Sequence, residues 1–464
     1  MNALADESVF SQIAHWNQAQ ELRAPRTKDI FNKNLEEALD IRRSQHSLIT
    51  LRKRRDHIDF SSNDFLSLSS SGQLREAFLE ELGRHPDFSL GSTGSRLLDG
   101  NHDYFEALED EIAAFHGAER ALIVNSGFEG NSAIFSAIPR PGDVVVFDEL
   151  VHASVHEGMA RCSAMVRQSF RHNCVDSLRD TLEMVHESQP LVQRGQRTVL
   201  IAVESVYSME GDFCPLAELV EAAQEVFPKR NFQFIVDEAH TTGVVGEKGV
   251  GLVSSLGLQK EIAIRLHTFS KALGASGVRN MLINHARPIT FTTAASFPTL
   301  AAVKSVYGLL ASGKTEPSRL RLYDLIRLFY KEITGNPAYE EVRDEGIISI
   351  PMADDWESQT YLTHIVAVLT EPRHNYFLSL HLQLLRFWVF PVDPPAVPKG
   401  TSRVRVVFHA NATEQQVIDL AEAIIEWAKE MLEIKQSGKE GTLPTAAQQV
   451  YKITSVTPRF DQFQ

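Results

Sequence analysis

Three polar residues at the ends of apolar runs are the side chains of this sequence best suited to chemistry. Asp237 and His240 follow the run Phe232–Val236, and Lys271 follows the run Ile262–Phe269. Short apolar runs of this kind predict buried strands, so both polar groups would lie at strand ends. Ligands of open α/β sheets bind beyond the carboxyl ends of the strands, and we therefore expect the three residues to converge.

An acid, an imidazole and an amine in one cleft are the groups that a pyridine aldehyde requires. The amine of Lys271 could condense with the aldehyde, and Asp237 could keep the ring nitrogen protonated so that the ring accepts electrons. His240 could hydrogen-bond the ring hydroxyl oxygen. A lone lysine or aspartate would normally be a solvated cap, and a lone histidine a satisfied core residue. Their combination, followed by Thr241-Thr242-Gly243, predicts a site for pyridoxal 5'-phosphate (PLP).

A candidate phosphate cradle precedes these residues. The segment Ser126-Gly127-Phe128 follows an apolar strand and opens a helix, which would turn backbone N–H groups and the positive end of the helix dipole towards a phosphate. Taken alone, the segment would be an ordinary strand-to-helix turn. The glycines of 243–251 lack dinucleotide spacing, which disfavours nicotinamide chemistry.

His152 lies just past a third predicted strand, which ends at Asp148. From there its imidazole could cover one face of the pyridine ring. Pairing with His156 as metal ligands is the competing interpretation, but no third ligand accompanies them and we expect no metal.

The bulk composition limits the classes of protein. With 464 residues and 43% hydrophobic residues, the chain can form one large domain and a smaller one. The net charge of -14 disfavours nucleic-acid binding. Cys162, Cys174 and Cys214 form no disulfide or zinc pattern, and neither a signal peptide nor a membrane span is recognisable. We expect a cytoplasmic protein.

Helical and strand-like runs alternate from about Phe105, which predicts an α/β fold with a doubly wound, mostly parallel sheet. After about Gly313 short strands and an amphipathic helix from Thr413 to Leu432 predict a smaller C-terminal α/β domain. The expected organisation is a helical arm, a large PLP-binding domain, a small domain and a polar, flexible tail, at 1–58, 59–313, 314–434 and 435–464.

Seven segments appear in an order that resembles one family, the α-oxoamine synthases, over about Phe31 to Leu432. Within it, the 8-amino-7-oxononanoate synthases and their fungal relatives are the most similar. The segments are Ser61-Ser62-Asn63-Asp64-Phe65-Leu66, Gly91-Ser92-Thr93-Gly94-Ser95-Arg96, Ser126-Gly127-Phe128, His152-Ala153-Ser154, Glu204 to Asp212, Asp237-Glu238-Ala239-His240 and Thr268-Phe269-Ser270-Lys271.

The resemblance implies a PLP-dependent transferase fold of type I and a homodimer with shared active sites. Lys271 would carry the cofactor and His152 would stack on its ring. Arg405 would bind the amino-acid carboxylate, a task suited to a bidentate guanidinium, and Asn63 would touch substrate from the neighbouring chain. The cofactor-binding residues would be Ser126, Gly127, Phe128, His152, Ser208, Asp237, His240, Thr268, Lys271 and, from the partner subunit, Thr293.

The reaction that the resemblance implies is a decarboxylative condensation of an amino acid with an acyl thioester, on coenzyme A or a carrier protein, to an α-amino ketone. His152 would polarise the thioester carbonyl. Alanine with a pimeloyl thioester, as in biotin biosynthesis, is the first substrate pair. The alternatives are a fatty or polyketide acyl thioester, a fold-type I aminotransferase or aldolase, and a non-catalytic scaffold subunit.

Two departures from the family's pattern affect these expectations. A short segment that forms a strand beside the lysine in the family is missing after Gly277, where Val278 follows at once. Bacterial biotin-pathway members also carry arginines at the places of Ile49 and Asp393, and without them an anionic acyl chain is less favoured.

Overall fold

The structure is a computed structural model that describes residues 29–44, 48, 51, 53–54, 56–268, 271–274, 276–438 and 441–454. For 271–274, 276–277 and 451–454 the description is confined to the backbone. Ile49, Phe269, Ser270 and the first 28 residues of the predicted arm lie outside the described residues. The described residues divide into a large unit within 64–323 and 360–363 and a small unit within 29–63, 324–359 and 364–454.

The strands are, in chain order, β1 (Ile58–Asp59), β2 (Arg120–Ile123), β3 (Val144–Asp148), β4 (Val166–Phe170), β5 (Val199–Glu204), β6 (Phe232–Asp237), β7 (Ile262–His267), β8 (Lys271–Gly274), β9 (Ile348–Ser349), β10 (Ile365–Thr370), β11 (Phe387–Trp388), β12 (Phe390–Val392) and β13 (Arg403–Val407). The α-helices are Ile30–Ser44, Gln73–Arg84, Asp103–His116, Gly127–Ala137, Ala153–Met159, Val175–Ser188, Pro190–Gln193, Leu216–Val226, Leu252–Ser255, Ser276–His285, Arg287–Thr290, Phe297–Ala311, Glu316–Thr334, Tyr339–Asp344, His374–Leu384, Glu414–Gln436 and Thr445–Thr454. Within the described part of the chain, no helix is both long and apolar enough to cross a membrane.

The large unit is built on a sheet of strand order β2-β8-β7-β6-β5-β3-β4. Neighbouring strands from β7 to β4 are parallel, whereas β8 runs antiparallel to both of its neighbours. Every residue of β5 is buried, as expected for a strand covered on both faces. The predicted α/β fold with a doubly wound, mostly parallel sheet is confirmed, because apolar runs bounded by helices fold in this way.

Two helices pack closely on this sheet and bring the candidate site together. A Cβ atom on Gly158, in the helix Ala153–Met159, would lie 2.7 Å from the Cβ atom of Phe135 in the helix Gly127–Ala137. A Cβ atom on Gly130 would lie 2.7 Å from Cδ1 of Leu266 on β7. A side chain at Gly158 would meet Cβ and backbone atoms, and one at Gly130 would require Leu266 to shift, so glycine at both places permits the observed spacing of the two helices and the sheet.

The lysine-bearing segment itself forms β8. Lys271 pairs with Ile123 of β2 and with His267 of β7, and Gly274 pairs with Arg120 and Ile264. The sequence analysis did not predict a strand for residues 271–274. The physical reason for the strand is that β2 and β7 would otherwise present unpaired backbone groups to each other.

The small unit contains an antiparallel sheet of order β12-β13-β10-β9 and the parallel pair β1 and β11. The helix Glu414–Gln436 begins with a capping box, in which Thr413 accepts from the backbone N–H of Gln416 and the Gln416 side chain accepts in return. Its fully buried Trp427 packs in the core of this unit. The amphipathic helix predicted for Thr413–Leu432 is therefore present.

The described part of the expected flexible tail, 435–438 and 441–454, contains helical structure, and residues 455–464 lie outside the described residues. The helix Glu414–Gln436 continues past Lys435, and residues Thr445–Thr454 form a further helix that packs on the helix His374–Leu384. Ala446, Ala447 and Val450 of this helix are buried. The sequence analysis missed this helix because its apolar face is short and lies among polar residues. Such a face is stable only when it packs on another element, which the local sequence does not show.

We expect Val450→Ala to lower the free energy of unfolding by about 2 kcal/mol, because two buried methyl groups are lost and a cavity remains. Gln449→Ala, at an exposed position of the same helix, is the matched control and should change it by less than about 0.5 kcal/mol. Urea denaturation of both variants measures the difference. Equal stabilities would mean that this helix contributes nothing to the small unit.

Candidate active site

The candidate residues of the large unit lie at one edge of the sheet, at the carboxyl ends of β5, β6 and β7 and at the amino end of the antiparallel β8. Glu204 of β5 pairs with Asp237 of β6, Asp237 pairs with Leu266 of β7, and the next residue of β7 pairs with Lys271 of β8. Only β7 separates Lys271 from Asp237, so strand spacing puts their Cα atoms roughly 10 Å apart. The backbone therefore places Lys271 and Asp237 at the same edge of the sheet, as the sequence predicts.

The carboxyl group of Asp237 is buried and accepts two hydrogen bonds. Nδ2 of Asn131 donates to Oδ2 at 2.8 Å, and the backbone N–H of Ala239 donates to Oδ1 at 2.9 Å. Burial raises the pKa of Asp237, while the hydrogen bonds from Asn131 and Ala239 act in the opposite direction. A buried acid of this kind favours a cationic partner, and a protonated ring nitrogen would supply one.

Glu204 is a second buried acid beside Asp237. Burial raises its pKa well above the usual range, and the charge of Asp237 raises it further. Its Oε1 accepts the backbone N–H of His152 at 2.6 Å. Since two adjacent buried carboxyls do not both ionise readily, the raised pKa of Glu204 favours its protonated form beside Asp237.

His152 is the N-cap residue of the helix Ala153–Met159. Its Nδ1 accepts the backbone N–H of Ser154 at 3.2 Å and lies 2.7 Å from Oγ of Ser154. The ring meets Phe128 edge-on, with centroids 6.1 Å apart. The imidazole is exposed in the single chain, and its predicted stacking on the cofactor stays a prediction.

The predicted phosphate end lies at the start of the helix Gly127–Ala137. Ser126 caps this helix, because its Oγ accepts the backbone N–H of Glu129 at 3.1 Å. Oγ1 of Thr268 donates to the backbone carbonyl of Ala239 at 3.0 Å. A Cβ atom on Gly127 would lie 2.8 Å from Cγ2 of Thr268, so only glycine lets the helix end and Thr268 approach each other. The N–H groups of the helix start, with Thr268 packed against Gly127, thus form a cradle that suits a phosphate.

The remaining candidates of the large unit occupy turns. Ser208 lies half-buried in the turn after β5 and His240 half-buried in the turn after β6. The carbonyl of Thr293 accepts from Nδ2 of Asn125 at 3.3 Å, so its backbone lies next to the phosphate end of its own chain. Thr293 also pairs with Ser95. Its predicted contact across a subunit interface stays a prediction.

Asn63 and Arg405 come together in the small unit. Nη2 of Arg405 donates to Oδ1 of Asn63 at 3.5 Å, and burial lowers the pKa of Arg405 to about 10. His409 holds the segment that ends at Asn63, because its ring nitrogens lie 2.9 Å from the carbonyl oxygens of Asp59 and Ser62. The two residues predicted to bind substrate therefore form one cluster around a half-buried guanidinium.

Asp393 of the small unit is occupied by local contacts. Its Oδ1 accepts from Nδ2 of Asn375 at 3.0 Å and from Oγ of Ser402 at 2.7 Å. These contacts hold the acid in place at a position where the resemblance implies an arginine in bacterial biotin-pathway members.

Sequence reasoning missed three residues of the large unit, Asn131, Ser154 and Glu204, as members of the site. Asn131 lies one helical turn after Gly127 and therefore on the same helix face, a signal that the spacing carries. Glu204 and Ser154 lie in two of the segments that carry the family resemblance, but the sequence analysis assigned no role to either residue. The residues present fit PLP, since an acid for the ring nitrogen and a helix start for the phosphate lie at the same sheet edge as the lysine.

His172 is a further residue that the sequence analysis did not single out. Its Nδ1 lies 3.0 Å from Oδ1 of the buried Asp148, and its Nε2 lies 2.9 Å from Oδ2 of Asp212. The ring meets Tyr207 edge-on at 4.4 Å. Burial lowers the pKa of His172, but the hydrogen bonds and charges of the two acids outweigh burial and raise it to about 10. The imidazolium thus ties together the loops that follow β3, β4 and β5.

Comparison with known proteins shows what the chain is similar to. The family model described as aminotransferase class I and II matches residues 55–424. The aminoacyl transferase sphA of Aspergillus fumigatus is 50% identical over 463 residues, which cover 97% of this chain and 98% of that protein. The 8-amino-7-oxononanoate synthase of Emericella nidulans is 41% identical over 383 residues, which cover 81% and 90%.

Solved structures show the same fold. The serine palmitoyltransferase of Sphingomonas wittichii aligns with a TM-score of 0.67 at 24% identity and covers 86% of this chain and 98% of its own. A PLP-containing structure of SPT aligns with a TM-score of 0.72 at 22% identity and covers 87% and 99%. The predicted PLP-dependent transferase fold of type I is confirmed.

We expect His172→Gln to destabilise the protein in a pH-dependent way. The pKa of His172 is higher in the folded chain than the ordinary value of 6.5, so its contribution is complete below about pH 6.5 and is lost as the pH rises towards about 10. Near pH 6 the variant should be less stable by about 2 kcal/mol. Thermal unfolding at several pH values, with the exposed His285→Gln as control, checks this, and a difference that grows with pH would contradict it.

We expect Gly127→Ala to weaken PLP binding about tenfold, because the new methyl group meets Cγ2 of Thr268 and displaces the helix start from the phosphate. Adding Thr268→Ser removes the clashing methyl and should restore most of the affinity. Gly308→Ala is the control, since a Cβ atom there meets nothing within 4 Å. Absorbance titration of the cofactor-free protein with PLP measures the affinity of all three variants. Unchanged affinity in Gly127→Ala would contradict a phosphate-binding role for this helix start.

Proposed function

Because the chain belongs to the α-oxoamine synthases, PLP-dependent enzymes of the aminotransferase class I and II family, we propose that it condenses an amino acid with an acyl thioester. The acyl chain of this thioester has no terminal carboxylate. The products are carbon dioxide, a free thiol and an α-amino ketone. The observation that carries the proposal is the buried, doubly hydrogen-bonded Asp237, which only β7 separates from Lys271 in the sheet.

PLP supplies the capacity to store the electron pair released from the substrate α-carbon. Lys271 removes the α-proton with its Nζ and later returns a proton to the same carbon. Asp237 holds a proton on the ring nitrogen. Arg405, beside Asn63, binds the amino-acid carboxylate through its guanidinium. His152 donates from Nε2 to the thioester carbonyl oxygen, which stabilises the negative charge that develops there when the substrate α-carbon attacks and that is lost again as the thiol leaves.

Two observations support an acyl chain without a terminal carboxylate. The resemblance implies an arginine at the place of Asp393 in bacterial biotin-pathway members, and here contacts with Asn375 and Ser402 hold an acid in that place. An anionic chain end would be repelled there rather than bound. The match to aminoacyl transferase sphA also runs over 97% of the chain, against 81% for the 8-amino-7-oxononanoate synthase. A fatty or polyketide acyl group, on coenzyme A or a carrier protein, is the substrate class that follows.

The second candidate is 8-amino-7-oxononanoate synthase activity, with alanine and a pimeloyl thioester in biotin biosynthesis. The 41% identity to the enzyme of Emericella nidulans favours it. Both candidates include a cytoplasmic homodimer with shared sites. The exposed Leu90, Leu97, Leu98 and Phe291 flank the segment where Ser95 pairs with Thr293, and an apolar surface of this kind suits burial against a second copy.

A thiol-release screen tests the proposal. Purified enzyme with PLP is offered each amino acid together with a fatty acyl or a pimeloyl coenzyme A thioester, and free thiol and carbon dioxide are measured. We expect release with the fatty acyl donor and at least tenfold less with the pimeloyl donor. Lys271→Ala should lose all activity, whereas Lys260→Ala, an exposed lysine of the same unit, should keep it.

Three other outcomes would overturn the proposal. Greater release with the pimeloyl donor would transfer the assignment to the second candidate. Keto-acid formation without thiol release would indicate an aminotransferase. A wild-type protein that binds no PLP in an absorbance titration would indicate a scaffold subunit.

A further inference from the structure

We propose that Asn131 is a positioning residue whose side-chain amide holds Asp237 and, through Ser154, fixes His152 in the tautomer that carries its hydrogen on Nε2. Asn131 is fully enclosed in the large unit, with 2% of its surface exposed. Its Nδ2 lies 2.8 Å from Oδ2 of Asp237 and 3.0 Å from Oγ of Ser154. An amide nitrogen has two hydrogens, so both are used.

The orientation of the amide follows from its partner. An ionised carboxylate can only accept hydrogen bonds, and therefore the nitrogen side of the Asn131 amide faces Asp237. The same nitrogen then donates its second hydrogen to Ser154. Because the Ser154 oxygen accepts there, its own hydrogen is available for the nearest acceptor, Nδ1 of His152 at 2.7 Å.

The tautomer of His152 follows in turn. Nδ1 accepts the backbone N–H of Ser154 at 3.2 Å as well as the hydroxyl of the same residue. A ring nitrogen that accepts two donors carries no hydrogen, so the neutral imidazole has its hydrogen on Nε2. Glu204, the acid nearest to this residue in the network, accepts the backbone N–H of His152 rather than a ring hydrogen.

Close helix packing makes this chain of contacts possible. Asn131 and Ser154 lie on the two helices that meet at Gly158, where a Cβ atom would come within 3.1 Å of the Asn131 carbonyl oxygen. One amide thereby positions the carboxyl group of Asp237 and also determines which ring nitrogen of His152 carries the hydrogen. The task of His152 as a donor to a carbonyl rests on the proposed function, whereas its tautomer does not.

The tautomer can be measured in cofactor-free protein by long-range proton–nitrogen correlation spectra of 15N-histidine-labelled samples. The signals of His152 are assigned by their loss in His152→Gln. Wild type should show protonated Nε2 and unprotonated Nδ1 between pH 7 and 8. Asn131→Ala and Ser154→Ala should each shift His152 towards a mixture of tautomers, while Ser136→Ala, on the same helix as Asn131, should not.

Cofactor binding provides a second readout that needs no substrate. Asn131→Ala should weaken PLP binding about tenfold, because a hydrogen bond to the charged Asp237 is lost. Asn131→Asp should weaken it further at pH 8 than at pH 6, since a second carboxylate then opposes Asp237. Ser154→Ala should leave the PLP affinity within about twofold, because it breaks only the link to His152.

Wild-type His152 with its hydrogen on Nδ1, or variants at Asn131 that leave both the tautomer and the PLP affinity unchanged, would overturn the inference. Absence of thiol release would overturn the proposed function alone, since neither readout involves an acyl donor. If the enzyme is active, Ser154→Ala should lower kcat about tenfold with little change in the KM of the amino acid.

Discussion

The burial of one negative charge at the end of β6 is the constraint on which the rest of the site depends. Removing an ionised carboxylate from water costs several kcal/mol unless partners replace the lost hydration. Asn131 and the backbone of Ala239 supply part of that replacement for Asp237. A cation beside the acid would supply the remainder. The protein thus holds an acid that is stabilised most fully when the ring nitrogen of its cofactor is protonated.

This constraint explains why small residues recur around the site. Asn131 reaches Asp237 because Gly130 lets the helix Gly127–Ala137 approach β7, and it reaches Ser154 because Gly158 lets the next helix approach the first. Gly127 similarly lets Thr268 come close to the helix start. The glycines take no part in the chemistry themselves. Each lets two elements approach closely enough for polar side chains on them to form hydrogen bonds.

Local sequence was sufficient for the parallel sheet and for the residues that follow its strands. Apolar runs before Asp148, Asp237 and Lys271 predicted β3, β6 and β7, because such runs are stable only when covered on both faces. It was insufficient where a segment acquires structure from distant partners. Residues 271–274 form a strand because β2 and β7 lie on either side, and Asn131 gains its role from residues 23 and 106 positions away.

The position of β8 has a consequence for how the cofactor and the sheet influence each other. Within the described residues, β2 is hydrogen-bonded to the remainder of the sheet only through the four residues that begin with Lys271. Attachment of a cofactor at Lys271 and docking of the edge strand are therefore thermodynamically linked, because either event restricts the same stretch of backbone. Lys271 is thus both a candidate catalytic group and the first residue of β8, the strand that connects the edge strand β2 to the rest of the sheet.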